Sequence, residues 1–267
     1  MRNLSPPERV LRELGITDPG EIDLEAIAWH LGARIRLGEL DGCEARIIGY
    51  RDRAIIRVDR RTHPRRRRFS IAHELGHWCH HRGRVLVCRA EDIGSHNPAT
   101  PEIERVADGH AADLLLPRYL FVPLSRHYAK LSFCSVRELA DLFDTSLTAT
   151  AIRLVESRHS PVMLICHGPE GCKWFRRSPD IPTRWFPRHD LDPESFAFDL
   201  LFGRGKEQAH PRLIGADAWF ERSEAERYEL HEHSVRTADD EILSLLLLID
   251  DGMLEDWDSG SRRREVF

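Results

Sequence analysis

The sequence has little lysine, no long apolar run, no surplus of positive charge and no paired cysteines, and most of these absences remove a class of protein. Of 39 basic residues only Lys130, Lys173 and Lys206 are lysine, a bias of composition rather than of chemistry. The longest apolar stretch, residues 242–249, is eight residues with Ser244 inside it, far short of the roughly 20 that a membrane-spanning helix needs. The net charge is −5, so the field of the whole molecule offers no pull toward nucleic acid or an anionic membrane. Six cysteines (Cys43, Cys79, Cys88, Cys134, Cys166 and Cys172) are scattered without paired spacings, which reads as free thiols in a reducing compartment rather than a disulfide framework. Cys166 and Cys172 with His167 raise the question of a second metal site, but their spacing fits no common ligand pattern. The first seven residues hold a charge and two prolines where a secretory signal would place its apolar segment, and the cytoplasm is the expected location. There is no internal repeat and no low-complexity linker.

What is present is 267 residues, 41% hydrophobic and 31% charged, enough for one large domain or two to three small ones. The charge is uneven: residues 1–120 carry 20 basic and 18 acidic side chains, whereas 121–267 carry 19 and 26. Helical spacing of apolar residues predicts helices over 7–14 and 24–31, the second capped by Asp23. Between 33 and 58 the period shifts to two, in three segments separated by turn signals, and predicts a small three-stranded antiparallel sheet. Arg65-Arg66-Arg67-Arg68 leads into a helix with Ile71, Leu75 and Trp78 on one stripe; that charge run reads as a solvated first turn rather than a binding patch. An irregular stretch over 83–97 follows. Thr100-Pro101 opens the next helix, with proline at its first position, which runs to Leu116. Ser135-Val136-Arg137-Glu138 has the form of a capping box opening a helix over 136–143. A break at 144–146 and another helix over 147–156 complete the outline of a helix-turn-helix. Beyond 160 strands are expected at 161–166, 173–176 and 218–220, while 239–250 is open between strand and helix.

His73-Glu74-Leu75-Gly76-His77 is H-E-x-x-H on a predicted helix. Residues i and i+4 share a helix face, so two imidazoles can grip one ion while the intervening glutamate acts on a water beside it. A zinc site of the hydrolytic kind needs a third protein ligand and an open fourth position. The next helix supplies Glu104, with Asp108 one turn later on the same face, so Glu104 completes a His2Glu set and Asp108 can accept a hydrogen bond from the far nitrogen of a ligand histidine. Two partly buried core histidines are the bland alternative, but that explains neither the intervening glutamate nor the second acidic pair. Around these lie His80, which can line the cleft, a solvent-facing His81, and Glu102, two residues from Glu104 and directed elsewhere. His110 and Tyr119 are candidate donors to a tetrahedral intermediate.

The segments 67–77 (Arg-Arg-Phe-Ser-Ile-Ala-His-Glu-Leu-Gly-His) and 104–117 (Glu-Arg-Val-Ala-Asp-Gly-His-Ala-Ala-Asp-Leu-Leu-Leu-Pro) resemble the two signature segments of the ImmA/IrrE family of zinc-dependent metallopeptidases. The likeness covers residues 1–120, and 121–160 resemble the helix-turn-helix-like segment of longer members. It implies an α+β fold with three parts: a zincin-like peptidase domain of a small antiparallel sheet plus helices over 1–120, a helix-turn-helix-like segment over 121–160, and a C-terminal α+β domain over 161–267. Members of the IrrE branch carry a GAF-like sensor domain in that last position, whose pattern is not visible here; the role of 161–267 is left open, with sensing and substrate binding as the two candidates. The resemblance makes His73, His77 and Glu104 the ligands of Zn2+, Glu74 the general base, and Asp108, where relatives often have Asn, a support for a ligand. It implies limited proteolysis of a cognate helix-turn-helix repressor, releasing stress-response or mobile-element genes. The substrate would lie extended along the exposed edge of the 33–58 sheet. From another class comes a DNA-binding or interaction regulator in which the peptidase-like domain is a scaffold, or a toxin–antitoxin component. Binding to DNA is not expected, because the second helix of the pair, 146–156, has one arginine and one glutamate and phosphate contacts need more cations.

Overall fold

Short capping side chains set the first helices. The Glu8 carboxylate accepts from the Ser5 N–H at 2.9 Å to open α1 (Pro6–Glu13), and Asp23 accepts from the N–H groups of Glu25 and Ala26 to open α2 (Leu24–His30). The computed structural model describes residues 4–81, 86–88, 93–94 and 100–255, with backbone alone at 86–88. Most of the irregular stretch expected over 83–97 therefore lies outside the described residues.

The described residues form two compact units, one of the residues up to 127 with 138–150, the other of 128–137 with the residues from 151 on. In the first, β1 (Ala33–Gly38), β2 (Ala45–Tyr50), β3 (Arg53–Asp59) and β4 (Leu86–Cys88) form one sheet in the order β1-β3-β2-β4. β2 and β3 are the expected antiparallel hairpin, turning through Arg51 at φ +55°. β1 departs from the expectation: it lies on the far side of β3 and runs parallel to it, Ala33 opposite Ala54 and Leu37 opposite Val58. The all-antiparallel sheet is thus corrected to a mixed one. The reason is that a period of two puts Ile35, Ile47 and Ile56 on one face whatever the strand direction, so the pattern is blind to it. Asp59 ties the connection down by accepting from the buried Leu40 N–H at 3.3 Å and from Arg61. β4 pairs along β2, so the edge of β2 is already filled, and the sheet edges open among the described residues are those of β1 and β4.

α3 (Pro64–His80) lies on the core face of this sheet, starting with Pro64 at its first position. Trp78 fixes it there: its indole N–H donates to the Leu31 carbonyl at 2.8 Å, and a Cβ at residue 49 would stand 2.5 Å from its ring, so only glycine lets the strand come this close. The four arginines at its start are not a solvated turn. Arg65 pairs with Asp141 and Asp144, Arg66 with Glu44, and Arg68 with Asp144, while Arg66 and Arg68 also donate to the carbonyls of Ile93 and Ile22. α4 (Glu102–Leu115) has Pro101 at its N-cap rather than inside it, where the Pro101 carbonyl accepts from Glu104 and Arg105, and α5 (Arg118–Ser125) follows.

α6 (Phe133–Phe143) and α7 (Leu147–Glu156) flank the expected break, with Asp144 at φ +50°. The capping box is not at Ser135 and Glu138. It is formed by Ser132 and Ser135, each hydroxyl accepting the other's backbone N–H at 3.4 and 3.0 Å. The helix starts earlier because Phe133 is buried, and a side chain that must be inside draws the first turn with it.

The second unit holds β5 (Val162–Gly168), β6 (Gly171–Arg177), α8 (Phe196–Leu201), β7 (Arg212–Gly215), β8 (Glu229–Ala238), β9 (Glu241–Leu248) and α9 (Asp251–Leu254). Its sheet is antiparallel throughout, in the order β6-β5-β9-β8-β7. The eight-residue apolar run is central in it as β9, and β5 beside it is buried at every residue, which accounts for continuous rather than alternating hydrophobicity. Residues 218–220 are not a strand: 216–218 form a 3-10 turn, and Phe220 makes one isolated bridge to Pro187. Trp185, Trp219 and Phe220 pack there with Met163, Ile165 and Leu246.

Candidate metal centre

α3 and α4 meet along small residues. A Cβ at Gly76 would stand 3.0 Å from the backbone of Ala107 and from the His110 Cβ, and Ala107 and Ala111 are fully buried. That close approach brings the acidic side chains of α4 against the histidines of α3. The Nε2 atoms of His73 and His77 are 2.9 Å apart, and Glu104 Oε2 lies 3.1 Å from the first and 3.3 Å from the second. Tetrahedral zinc bonded at 2.0 to 2.1 Å separates its ligand atoms by about 3.3 Å, so the three atoms stand within a few tenths of an ångström of such a triangle. His73, His77 and Glu104 are the one such group among the described residues. Two imidazole nitrogens and a carboxylate oxygen are also the donor types zinc takes in hydrolytic sites.

The far nitrogens are engaged as well. Asp108 Oδ1 accepts from the Gly94 N–H at 2.9 Å and lies 2.8 Å from His73 Nδ1. With Nδ1–H committed to that carboxylate, neutral His73 presents a bare Nε2 to the triangle. His77 Nδ1 lies 3.2 Å from His81 Nδ1, so His81, half-buried rather than solvent-facing, is a contributor that the sequence reading passed over; its place four residues after His77 was the available signal. Glu74 is fully buried, and its charge acts on His73.

The electrostatics follow from three acceptor atoms facing one another in a largely buried place. Burial pulls His73 down, but the hydrogen bonds to Asp108 and Glu104 outweigh it and hold the imidazole up at about 9. His77, desolvated and beside the His73 charge, falls to about 4. Glu104 is held below the usual carboxylate range, first by its hydrogen bond to His73.

The remaining candidates separate from this cluster. Glu102 is exposed. His80 is exposed and pairs with His110, Nε2 to Nδ1 at 3.1 Å, a contact further along both helices than the triangle. His110, buried, is lowered to about 4 by desolvation and by His80. Tyr119 donates to the Ile16 carbonyl at 2.8 Å, so its hydroxyl is already occupied. Cys166, His167 and Cys172 do not converge on a metal-sized space: His167 and Cys172 face each other across β5 and β6, and the His167 Nε2 bonds the Arg188 carbonyl.

The model of the IrrE N-terminal-like domain, Peptidase_M78, matches residues 30–155. Over this stretch, a little under half of its length, the chain is similar to the IrrE N-terminal-like domain of the M78 peptidases. The M78 match takes in α3, α4 and the sheet under them, so the triangle lies wholly within a metallopeptidase-like domain. No curated protein matches the chain. Among solved structures, a Mycobacterium tuberculosis transcriptional regulator is similar over 98% of this chain and 91% of that one, with a TM-score of 0.60 and 15% identity. At that identity the likeness is one of fold, and it extends past the M78 domain through the second unit. No helix among the described residues is long and apolar enough to cross a membrane.

Proposed function

We propose that the chain is a zinc-dependent endopeptidase that cuts a cognate helix-turn-helix repressor and so releases stress-response or mobile-element genes. His73, His77 and Glu104 hold the ion, Glu74 is the general base, and Asp108 orients His73. The observation that carries this reading is the triangle of Nε2, Nε2 and Oε2, with a buried carboxylate next in sequence to its first member. When bound, the zinc supplies a Lewis acid that polarises the scissile carbonyl and stabilises charge developing on it.

The residues of the chain do the rest. Glu74 takes a proton from the attacking water and returns it to the leaving amine, for which a carboxylate at hydrogen-bond reach suffices. Asp108 keeps the His73 ring in one tautomer and orientation, held itself by the Gly94 N–H. An extended substrate segment finds unpaired backbone at an open sheet edge. The repressor as substrate rests on the likeness to the IrrE N-terminal-like domain, and the structural neighbour, a transcriptional regulator, agrees with a role in transcription.

The regulator-scaffold reading has in its favour the α6–α7 outline and the same neighbour. Against it, the one arginine of α7, Arg153, is 3% exposed and bonds Glu156, so the helix offers no cation to phosphate.

The test is Glu74→Gln. The amide keeps the shape of the side chain but cannot accept a proton, so zinc content and melting temperature stay at the wild-type level. Cleavage of the cognate repressor should fall on the order of 10²- to 10⁴-fold. Wild-type cleavage by a folded, zinc-loaded Glu74→Gln protein would remove the enzymatic reading.

A further inference from the structure

The face of the first sheet turned away from α3 has an unusual side-chain order. Residues in register share a face, so Arg36, Arg57 and Arg46 stand side by side across β1, β3 and β2. The next row is Arg34, Ile55 and Ile48, and the row after it Arg53 and Tyr50. Gly49, on the opposite face, meets Trp78 of α3, which places these rows on the outer side, away from the metal centre. Ile48 is 53% exposed, Ile55 49% and Tyr50 73%, and Arg34, Arg36, Arg53 and Arg57 are exposed. Among the described residues no carboxylate pairs with any of the five arginines. The one acid in the same alternation, Asp59, is bound to Arg61 at 2.6 Å.

Like charges directly opposite one another destabilise a sheet, so three adjacent arginines with no counter-charge among the described residues are a row that a partner's acids would relieve. The isoleucine pair beside them would lose its exposed surface at the same contact. On an α-helix, the Cβ atoms of residues i and i+4 are about 5 to 6 Å apart, close to the roughly 5 Å between neighbouring strands. Glutamates on one helical stripe therefore match the arginine row, and an apolar stripe beside them matches Ile48 and Ile55.

We propose that this face docks an acidic amphipathic helix of a partner protein, at a site separate from the metal centre. Nucleic acid fits less well. It has no use for an exposed isoleucine pair, and the aromatic planes it would stack on are covered, Tyr50 by Arg51 at 5.2 Å and Trp29 by Arg34 at 4.7 Å.

The experiment is an anisotropy titration of the full chain with a labelled helical peptide bearing a glutamate stripe and an adjoining leucine stripe. It is compared with the same peptide with Lys for Glu, the same peptide with Ala for Leu, and a duplex DNA. The proposal expects saturable binding of the first probe only, weakened roughly tenfold or more by Arg36→Ala with Arg57→Ala, and again by Ile48→Ser with Ile55→Ser. All four side chains are solvent-facing, and a thermal melt of each variant checks the fold. His77→Ala, which disrupts the triangle on the other side of the sheet, should bind the probe as the wild type does, so the result stands apart from the peptidase reading. The proposal is overturned by absence of binding, by binding that ignores both pairs of substitutions, by equal affinity for the peptide without leucines, or by duplex DNA binding through the same arginines.

Discussion

Each unit of the molecule gathers polar groups around a glutamate, and the two clusters are built oppositely. In the second unit the Glu232 carboxylate, 1% exposed, receives four donors: the Ala197 N–H and the Ser234 hydroxyl at 2.8 and 2.7 Å on one oxygen, the Phe196 N–H and the Trp219 indole N–H at 3.2 and 2.9 Å on the other. A carboxylate has about four acceptor positions, so nothing is left over, even though burial pushes its pKa above the usual range against those donors. Around α3 and α4 it is acceptors that converge: two imidazole nitrogens and a carboxylate oxygen within 3.3 Å of one another. A closed set of donors and acceptors is architecture, whereas a surplus of acceptors around one point calls for a cation. The sign of the mismatch, rather than burial, separates a site from a support.

If that distinction is right, the two clusters respond to deletion in opposite ways. His77→Ala should abolish stoichiometric zinc and bring cleavage to background while changing the melting temperature of the metal-free protein little. Glu232→Ala should leave zinc binding intact and destabilise the fold by about 3 kcal/mol or more, because an indole N–H and two backbone N–H groups are left buried without an acceptor. Metal analysis beside thermal melting of both variants reads the contrast directly. Loss of zinc in Glu232→Ala at a temperature where the protein is folded would break it.

A smaller effect tests how the acceptors are held. Asp108→Asn keeps an oxygen near His73 Nδ1 but removes the charge, and should weaken zinc affinity about 10- to 100-fold with the fold unchanged. The same wiring sets a pH dependence. His73 is raised to about 9 and His77 lowered to about 4, so between these values the metal-free site carries one proton on His73 that zinc must displace. Apparent affinity should therefore rise about tenfold per pH unit up to about 9 and then level, with a second proton entering the balance below about 4. Calorimetry in buffers of different ionisation enthalpy measures the proton released. A value near zero at pH 7 would mean that His73 is neutral before metal arrives.

The metal triangle was legible because its information is local. His73 and His77 lie four residues apart on one helix, and Glu104 and Asp108 repeat that spacing on the next, so two short patterns already specify a shared face. What was not legible has partners far along the chain. Arg65 and Arg66 look like solvated charge until Asp141 and Glu44 arrive from 76 and 22 residues away. The direction of β1 left no mark, since Ile35 points to the core whether the strand runs with β3 or against it. Ser135-x-x-Glu138 satisfied the letter of a capping box, yet the need to bury Phe133 moved the helix start to Ser132. In the second unit, nothing local in Glu232 announces its four donors, which come from α8, from β8 itself and from Trp219.

The smallest effect concerns the contact that brings the two patterns together. At Gly76 an added methyl would sit 3.0 Å from Ala107 and His110, so α4 must withdraw by a few tenths of an ångström. Overpacking of this degree costs about 1 kcal/mol or slightly more, while replacing a glycine inside a helix by alanine returns about 1 kcal/mol of helix propensity. The two nearly cancel, and Gly76→Ala should melt within a few degrees of the wild type. The metal site has no such compensation, because Glu104 moves with α4 while the histidines stay on α3. Zinc affinity should fall several-fold and Glu232-dependent stability not at all, as read by competition with a chromophoric chelator beside a thermal melt. A variant that melts like the wild type and binds zinc as tightly would show that α4 can shift without carrying Glu104 out of reach, and that the approach at Gly76 serves packing alone.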